Sequence, residues 1–212
     1  MARVRAYIDG FNFYHGLMAK GWSQFRWLDY EKLVDSLTRP DDEIVSIKYF
    51  TSLMKHQPEK LMRQKLYLKA IEAYSPNIEI VEGEFEQRPV QCRECLQWYK
   101  RPQEKKTDVS IATHLVSDAY EGEVGGRYDE VLLICADSDL VPAVDFIRRR
   151  HGKWIFLVDP PRRHSADLAA ISDQHIYVQR RQLRDCQLPN PVEYNSKKGK
   201  PMRIHAPEGW VA

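Results

Sequence analysis

Short apolar runs alternate with stretches of helical spacing along nearly the whole chain. Arg3 to Asp9 (RVRAYID) is a β-type run that ends on an acid, and Phe11 to Lys20 spaces bulky residues helically until Gly21. Tyr30 to Leu37 reads as a second helix stopped by Pro40, and Ile44 to Leu53 as a strand. Pro58 opens a helix with Leu61, Leu68 and Ile71 on one face, closed by Pro76. Ile78 to Phe85 is a third strand. Arg88 to Lys106 is polar and aperiodic, a loop carrying Cys92 and Cys95. Asp108 to Tyr120 is a helix with Val109, Ala112, Val116 and Ala119 inward. Asp129 to Ala136 is almost wholly apolar, as a strand covered on both faces must be. Val141 to Arg150 is a helix, Trp154 to Asp159 a strand, Ser165 to Ile171 a helix and Ile176 to Gln179 a last short strand.

Strand alternates with helix nearly throughout, so the expected fold is α/β, a mainly parallel sheet with helices on both faces. Residues 1–185 form the domain, with 88–106 as a loop insertion. Residues 186–212, rich in Pro and Lys and including Lys197, Lys198, Lys200 and Arg203, read as a basic tail.

Composition narrows the function. The 212 residues carry 32 Lys and Arg against 30 Asp and Glu, a net charge of +2, which excludes a uniformly basic nucleic-acid coat protein. No apolar run has the length of a membrane span, and the amino terminus has no charged-then-apolar leader. Four cysteines, two of them as C-x-x-C, are too few for a disulfide scaffold, so a reducing cytoplasm is expected. There is no G-x-G-x-x-G, no P-loop and no G-x-S-x-G, so dinucleotide, P-loop ATP and serine-hydrolase chemistry lack their cradles.

The acids carry the positional signal. Asp9 ends the first strand, with Asn12 a turn later. Asp137 and Asp139 (ICADSDL) follow the most apolar strand, and Asp108 sits in the first turn of its helix. In right-handed βαβ units, strand carboxyl ends and the following helix amino ends share one edge of the sheet, where open α/β sheets bind ligands. Acids gathered there repel one another unless a hard cation sits among them, and Mg²⁺ or Mn²⁺ fits oxygen donors.

YIDGFNFY (Tyr7 to Tyr14), KTDVSIATHL (Lys106 to Leu115) and ICADSDLVPAV (Ile134 to Val144) resemble the three motif blocks of NYN domains, of the PIN-like ribonuclease group and its LabA-like bacterial subgroup. The resemblance runs from about Arg3 to Arg181, with further similarity in PPRRHS and QLPNPV. It implies a Rossmann-like, PIN-like sheet and metal-dependent cleavage of RNA, with Asp9, Asp108, Asp137 and Asp139 as metal-site acids. Asn12 would orient a ligand water or the scissile phosphate. Many relatives carry another acid further along the helix that Asp108 begins. Here Ser110, His114 and Asp118 share one stripe of it, and either His114 contacts a phosphate or donates a proton, or it is a solvated or capped histidine.

A nuclease must also hold a polyanion. Arg162 and Arg163 follow a strand that ends at the same rim, and His164 and Ser165 open the next helix, whose amides point at a phosphate. Phe11, Phe13 and Tyr14 either stack a base or pack in the core, the latter expected for at least two of them. Cys92 and Cys95 are half of a structural Zn²⁺ site that histidine, a second chain or Cys186 would have to complete, or else they are free thiols in a tight turn or a redox pair. The expected activity is hydrolysis of single-stranded RNA. The alternatives are a non-catalytic NYN module that binds RNA or protein, and a small-molecule phosphohydrolase. A homo-oligomer is left open.

Overall fold

The computed structural model describes residues 1–121, 127–196 and 198–211, with the backbone course alone at 84–88 and 100–105. Lys197, read with the tail, lies outside them. Strands β1 (Arg3–Asp9), β2 (Glu43–Ser52), β3 (Ile78–Gln91), β4 (Trp98–Lys105), β5 (Glu130–Ile134), β6 (Trp154–Asp159) and β7 (Gln174–Tyr177) make one sheet ordered β4-β3-β2-β1-β5-β6-β7. Every neighbouring pair is parallel except β3 with β4. This is the α/β architecture that the alternation of strand and helix predicts.

Strand parity sets the two cores. Leu132 and Ile134 of β5 point to one side with Val4, Ala6 and Ile8 of β1, where α1 (Gly10–Lys20), α2 (Tyr30–Leu37) and α3 (Pro58–Tyr74) pack. Val131 and Leu133 point to the other with Ile155 and Leu157 of β6, under α4 (Thr107–Glu121), α5 (Val141–His151) and α6 (Ala166–Ile171). The strand order runs outward from β1 in one direction and from β5 in the other. The crevice at the carboxyl ends of these two strands is therefore the topological switch point.

Three expectations change. The segment 88–106 is not a loop: β3 leaves the parallel sheet after Gly83, opposite Ser52, and pairs antiparallel with β4 from Glu84↔Lys105 to Gln91↔Trp98. An arm that projects past the sheet edge has no core side, so its sequence lacks the period-two apolar pattern that marks a strand. Residues 186–212 are not a loose tail. After α7 (Arg180–Asp185), β8 (Val192–Asn195) and β9 (Pro201–Ile204) form a hairpin, and Val192, Ile204 and Trp210 are buried against the α1–α3 core. Those anchors are spread thinly through Pro- and Lys-rich sequence, which hid them. In α4 the buried line is Ile111, Leu115 and Ala119, while Val109 is 69% exposed. Two residues of helix place Val109 about 200° round the axis from Ile111.

Candidate active site

Asp9 is the last residue of β1 and the cap of α1, its Oδ1 accepting the Asn12 amide at 2.8 Å. The helix starts flush against β2, since a Cβ on Gly10 would lie 2.8 Å from the Phe50 carbonyl oxygen and 2.4 Å from the Tyr49 ring. Burial pushes the Cys135 thiol up, so it stays protonated and donates to Asp9 Oδ2 at 3.5 Å. The Asp137 amide donates to the same sulfur at 3.3 Å, and Asp137 Oδ1 accepts the Asp139 amide at 2.9 Å. One thiol thus ties the end of β1 to the turn after β5.

Burial raises the Asp9 carboxyl from 3.8 to about 6, against the Asn12 amide, and Asp108 and Asp137 add to the rise. Asp108 is raised by burial and then by Asp137 and Asp139. Asp9 feels Asp108 and Asp137, and Asp108 feels Asp137 and Asp139, so the four acids share the switch-point end of the sheet. The ion pairs made by Arg5, Lys48, His164 and His175 go to other carboxylates, Asp118, Glu79 and Asp159. Asn12 Oδ1 is buried and has no hydrogen-bond partner. The donors there are hard oxygens, the kind Mg²⁺ and Mn²⁺ take, but among the described residues no three of these carboxylates are within 4.8 Å of one another as one ion's ligands would be.

Asp118 and His114 are not part of this group. Asp118 Oδ2 accepts from Tyr7 Oη at 2.8 Å and from Lys48 Nζ at 2.8 Å, with Arg5 at 3.5 Å. Lys48 Nζ also contacts His114 Nδ1 at 2.9 Å, and the His114 ring packs on Phe50. Asp118 is nearly three turns of α4 from Asp108, and two cations from β1 and β2 already neutralise it. A lysine in the middle of a strand reads as a solvent-facing residue, so Lys48 gave no sequence signal.

On the loop after β6, Arg162 and Arg163 are exposed at the same rim as the acids. Arg162 has a φ of 54°, and its guanidinium donates to the Ala19 carbonyl at 3.1 Å. Arg163 lies near His15 of α1 and lowers its pKa after burial has done so. Ser165 is buried as the cap of the six-residue α6, with its hydroxyl accepting the Leu168 amide, so the expected phosphate cradle has no helix of useful length. His164 is turned toward Asp159. Cys92 and Cys95 lie at the tip of the β3–β4 arm, where amides of Cys95 and Glu94 lower the Cys92 pKa. Cys186 is buried against Lys32, so it does not reach them.

Sequence reasoning missed a pocket of about 240 Å³ on the α1–α3 side, beginning at Gly10 beside Asp9. Phe11, Tyr14 and Trp210 supply aromatic wall, and Arg26, Lys60 and Arg63 supply positive charge. Of the three bulky residues at the start of α1, only Phe13 is fully in the core. Helical spacing hinted at Phe11 and Tyr14, but Trp210 comes from the segment read as a tail.

A family model described as the NYN domain matches residues 3–179. Among curated proteins, 6-hydroxy-3-succinoylpyridine 3-monooxygenase HspA of Pseudomonas putida (strain DSM 28022 / S16) is 28% identical over 239 aligned positions, covering 94% of this chain and 74% of that one. Among solved structures, a protein of unknown function from Vibrio parahaemolyticus RIMD 2210633 matches with a TM-score of 0.59 at 20% identity, over 88% of this chain and 96% of the other. That likeness establishes the fold. Among the described residues, no helix is long and apolar enough to cross a membrane.

Proposed function

The chain belongs to the NYN domain family, a PIN-like nuclease family, and on that premise we propose that it hydrolyses single-stranded RNA with a divalent cation. Nucleases of this family act on RNA and are generally dependent on divalent metal. The observation that carries the reading is that Asp9, Asp108, Asp137 and Asp139 share one end of the sheet, where Asp9 and Asp108 each feel the other acids, next to a buried Asn12 Oδ1 that has no partner. Those four carboxyl groups would hold Mg²⁺ or Mn²⁺. When bound, such an ion lowers the pKa of water and neutralises charge on a phosphodiester. Asn12 Oδ1 orients a water or the phosphate beside Asp9. Arg163, exposed on the rim, attracts the RNA backbone, and Phe11 and Tyr14 offer a ring to stack on.

The test is incubation of end-labelled single-stranded RNA with Mn²⁺, with Mg²⁺ and with EDTA, with Asp137→Asn alongside. Metal-dependent cleavage by the parent protein alone is the expected result. Absence of cleavage with either metal, together with salt-sensitive RNA binding that survives Asp137→Asn, would replace the nuclease with a binding module.

A second reading is favoured by the pocket beside Asp9 and by the similarity to a protein named as a 6-hydroxy-3-succinoylpyridine 3-monooxygenase. In it the aromatic wall holds a ring, and Arg26, Lys60 and Arg63 hold a carboxylate, so the ligand is a small aromatic acid. Calorimetric titration with 6-hydroxy-3-succinoylpyridine separates the two: saturable binding lost in Arg63→Ala supports this reading, and no heat of binding removes it.

A further inference from the structure

We propose that Asp159, His164 and His175 form a second metal site, one that takes a transition-metal ion such as Zn²⁺ or Fe²⁺ and is separate from the acidic crevice. Asp159 ends β6 and is fully buried. His175 reaches it from β7, the parallel neighbour of β6, and His164 from the short loop that follows β6. His164 Nδ1 lies 2.6 Å and His175 Nε2 2.9 Å from the same carboxylate oxygen, Oδ2. The three ligand atoms lie within 4.8 Å of one another. The other oxygen, Oδ1, is buried and has no hydrogen-bond partner.

That arrangement is unusual for a carboxylate sealed from water. Two imidazoles crowd one oxygen while the second, a buried acceptor, goes without a partner. A metal ion uses the same three groups better, because each imidazole then offers a lone pair and the carboxylate keeps its charge. Ligands about 2.0–2.1 Å from a tetrahedral ion stand roughly 3.3 Å apart, so the imidazoles need shift by less than about 1 Å.

The scaffold is built to hold that loop. The Pro161 carbonyl oxygen sits where a Cβ on Gly16 would be, 2.4 Å away, so the loop lies against the backbone of α1. Arg162, in the left-handed region at φ 54°, is tied to Ala19, and Ser165 caps α6 directly after His164. The ring of Tyr177 stands 4.9 Å from that of His175 and 5.9 Å from that of His164.

Donor chemistry and distance both separate this site from the acids. Imidazole selects zinc, iron, cobalt or nickel over Mg²⁺, whereas the crevice offers oxygen alone. Asp159 lies two strands from Asp9 in the sheet order, about 10 Å at normal strand spacing. Paired ions of a two-metal phosphodiester site stand only about 3.5–4 Å apart. Two histidines and one carboxylate leave coordination positions open, and the His164 side chain is 45% exposed, so the open side meets solvent. The site is thus of the kind that receives an exogenous ligand rather than a closed structural one.

Cobalt titration of the EDTA-stripped full chain, followed by visible absorption, tests this. A Cys92→Ser, Cys95→Ser, Asp137→Asn background removes the thiolates and weakens the acidic crevice. One equivalent of Co²⁺ should give a saturable d–d band that Zn²⁺ abolishes and excess Mg²⁺ leaves in place. The band should vanish in His164→Ala, a half-exposed position where folding is not at stake, and in His175→Gln. A band that persists in both variants, or no saturable band in a background protein with native circular dichroism, would leave the triad a hydrogen-bonded cluster and overturn the proposal.

Discussion

Replacing Asp9 with Asn should make the metal-free protein more stable at neutral pH. Asp9 is 4% exposed and its carboxyl is raised from 3.8 to about 6, first by burial and then by Asp108 and Asp137. Ionising it in the native state at pH 7 therefore costs about 3 kcal/mol relative to the unfolded chain. Asn is as good a cap as Asp and keeps the oxygen that accepts the Asn12 amide. Allowing for a weaker contact with Cys135, the gain should be about 2–3 kcal/mol, or roughly 5–10 °C in Tm for a chain of this size. The pH dependence fixes the cause. Between about pH 4 and pH 6 the unfolded chain has lost this proton and the native state still holds it, so the parent loses stability as pH rises through that window. Urea melts of the two proteins in EDTA should coincide near pH 4 and separate by pH 7. Saturating Mn²⁺ should narrow the gap, because only the parent retains the full ligand set. Equal stability at pH 7 in EDTA, or a less stable variant, would refute the picture of an acid held ionised at a cost.

Lys48→Ala strips the main cation from buried Asp118 and should cost about 3–5 kcal/mol in urea melts, whereas Lys48→Met with Asp118→Asn should recover most of that. Gly16→Ala puts a methyl 2.4 Å from the Pro161 oxygen and should lower stability by about 1–3 kcal/mol by thermal melt, without loss of the sheet's circular dichroism. Arg163→Ala should weaken binding of single-stranded RNA and reduce the log–log salt slope by about 0.7, measured by fluorescence anisotropy with the acidic site disabled by Asp137→Asn.

Most of the sheet was legible because its strands are buried on both faces and its helices on one, so the apolar period reports each directly. Asp9, Asp108 and Asp137 were legible for a related reason: strand ends and helix starts place residues on one edge whatever the side chains pack against. What stayed hidden depends on contacts between distant segments. Lys48 meets Asp118 across 70 residues of sequence, and Trp210 closes a pocket begun by Phe11. No local period records either meeting. Asp159 carried the same strand-end signal as Asp9, but its partner His175 lies in an edge strand with no motif around it.

The position of β1 has a consequence for synthesis. It is made before the other strands of this sheet and sits between β2 and β5, with Asp9 at its end tied to Cys135. A nascent chain that stops before Ile134 leaves β1 with one edge unpaired and the α4 side of the sheet uncovered. Asp9 then has neither Cys135 nor Asp137 beside it. The chain must emerge as far as Asp139, across five strands of the sheet, before the crevice exists.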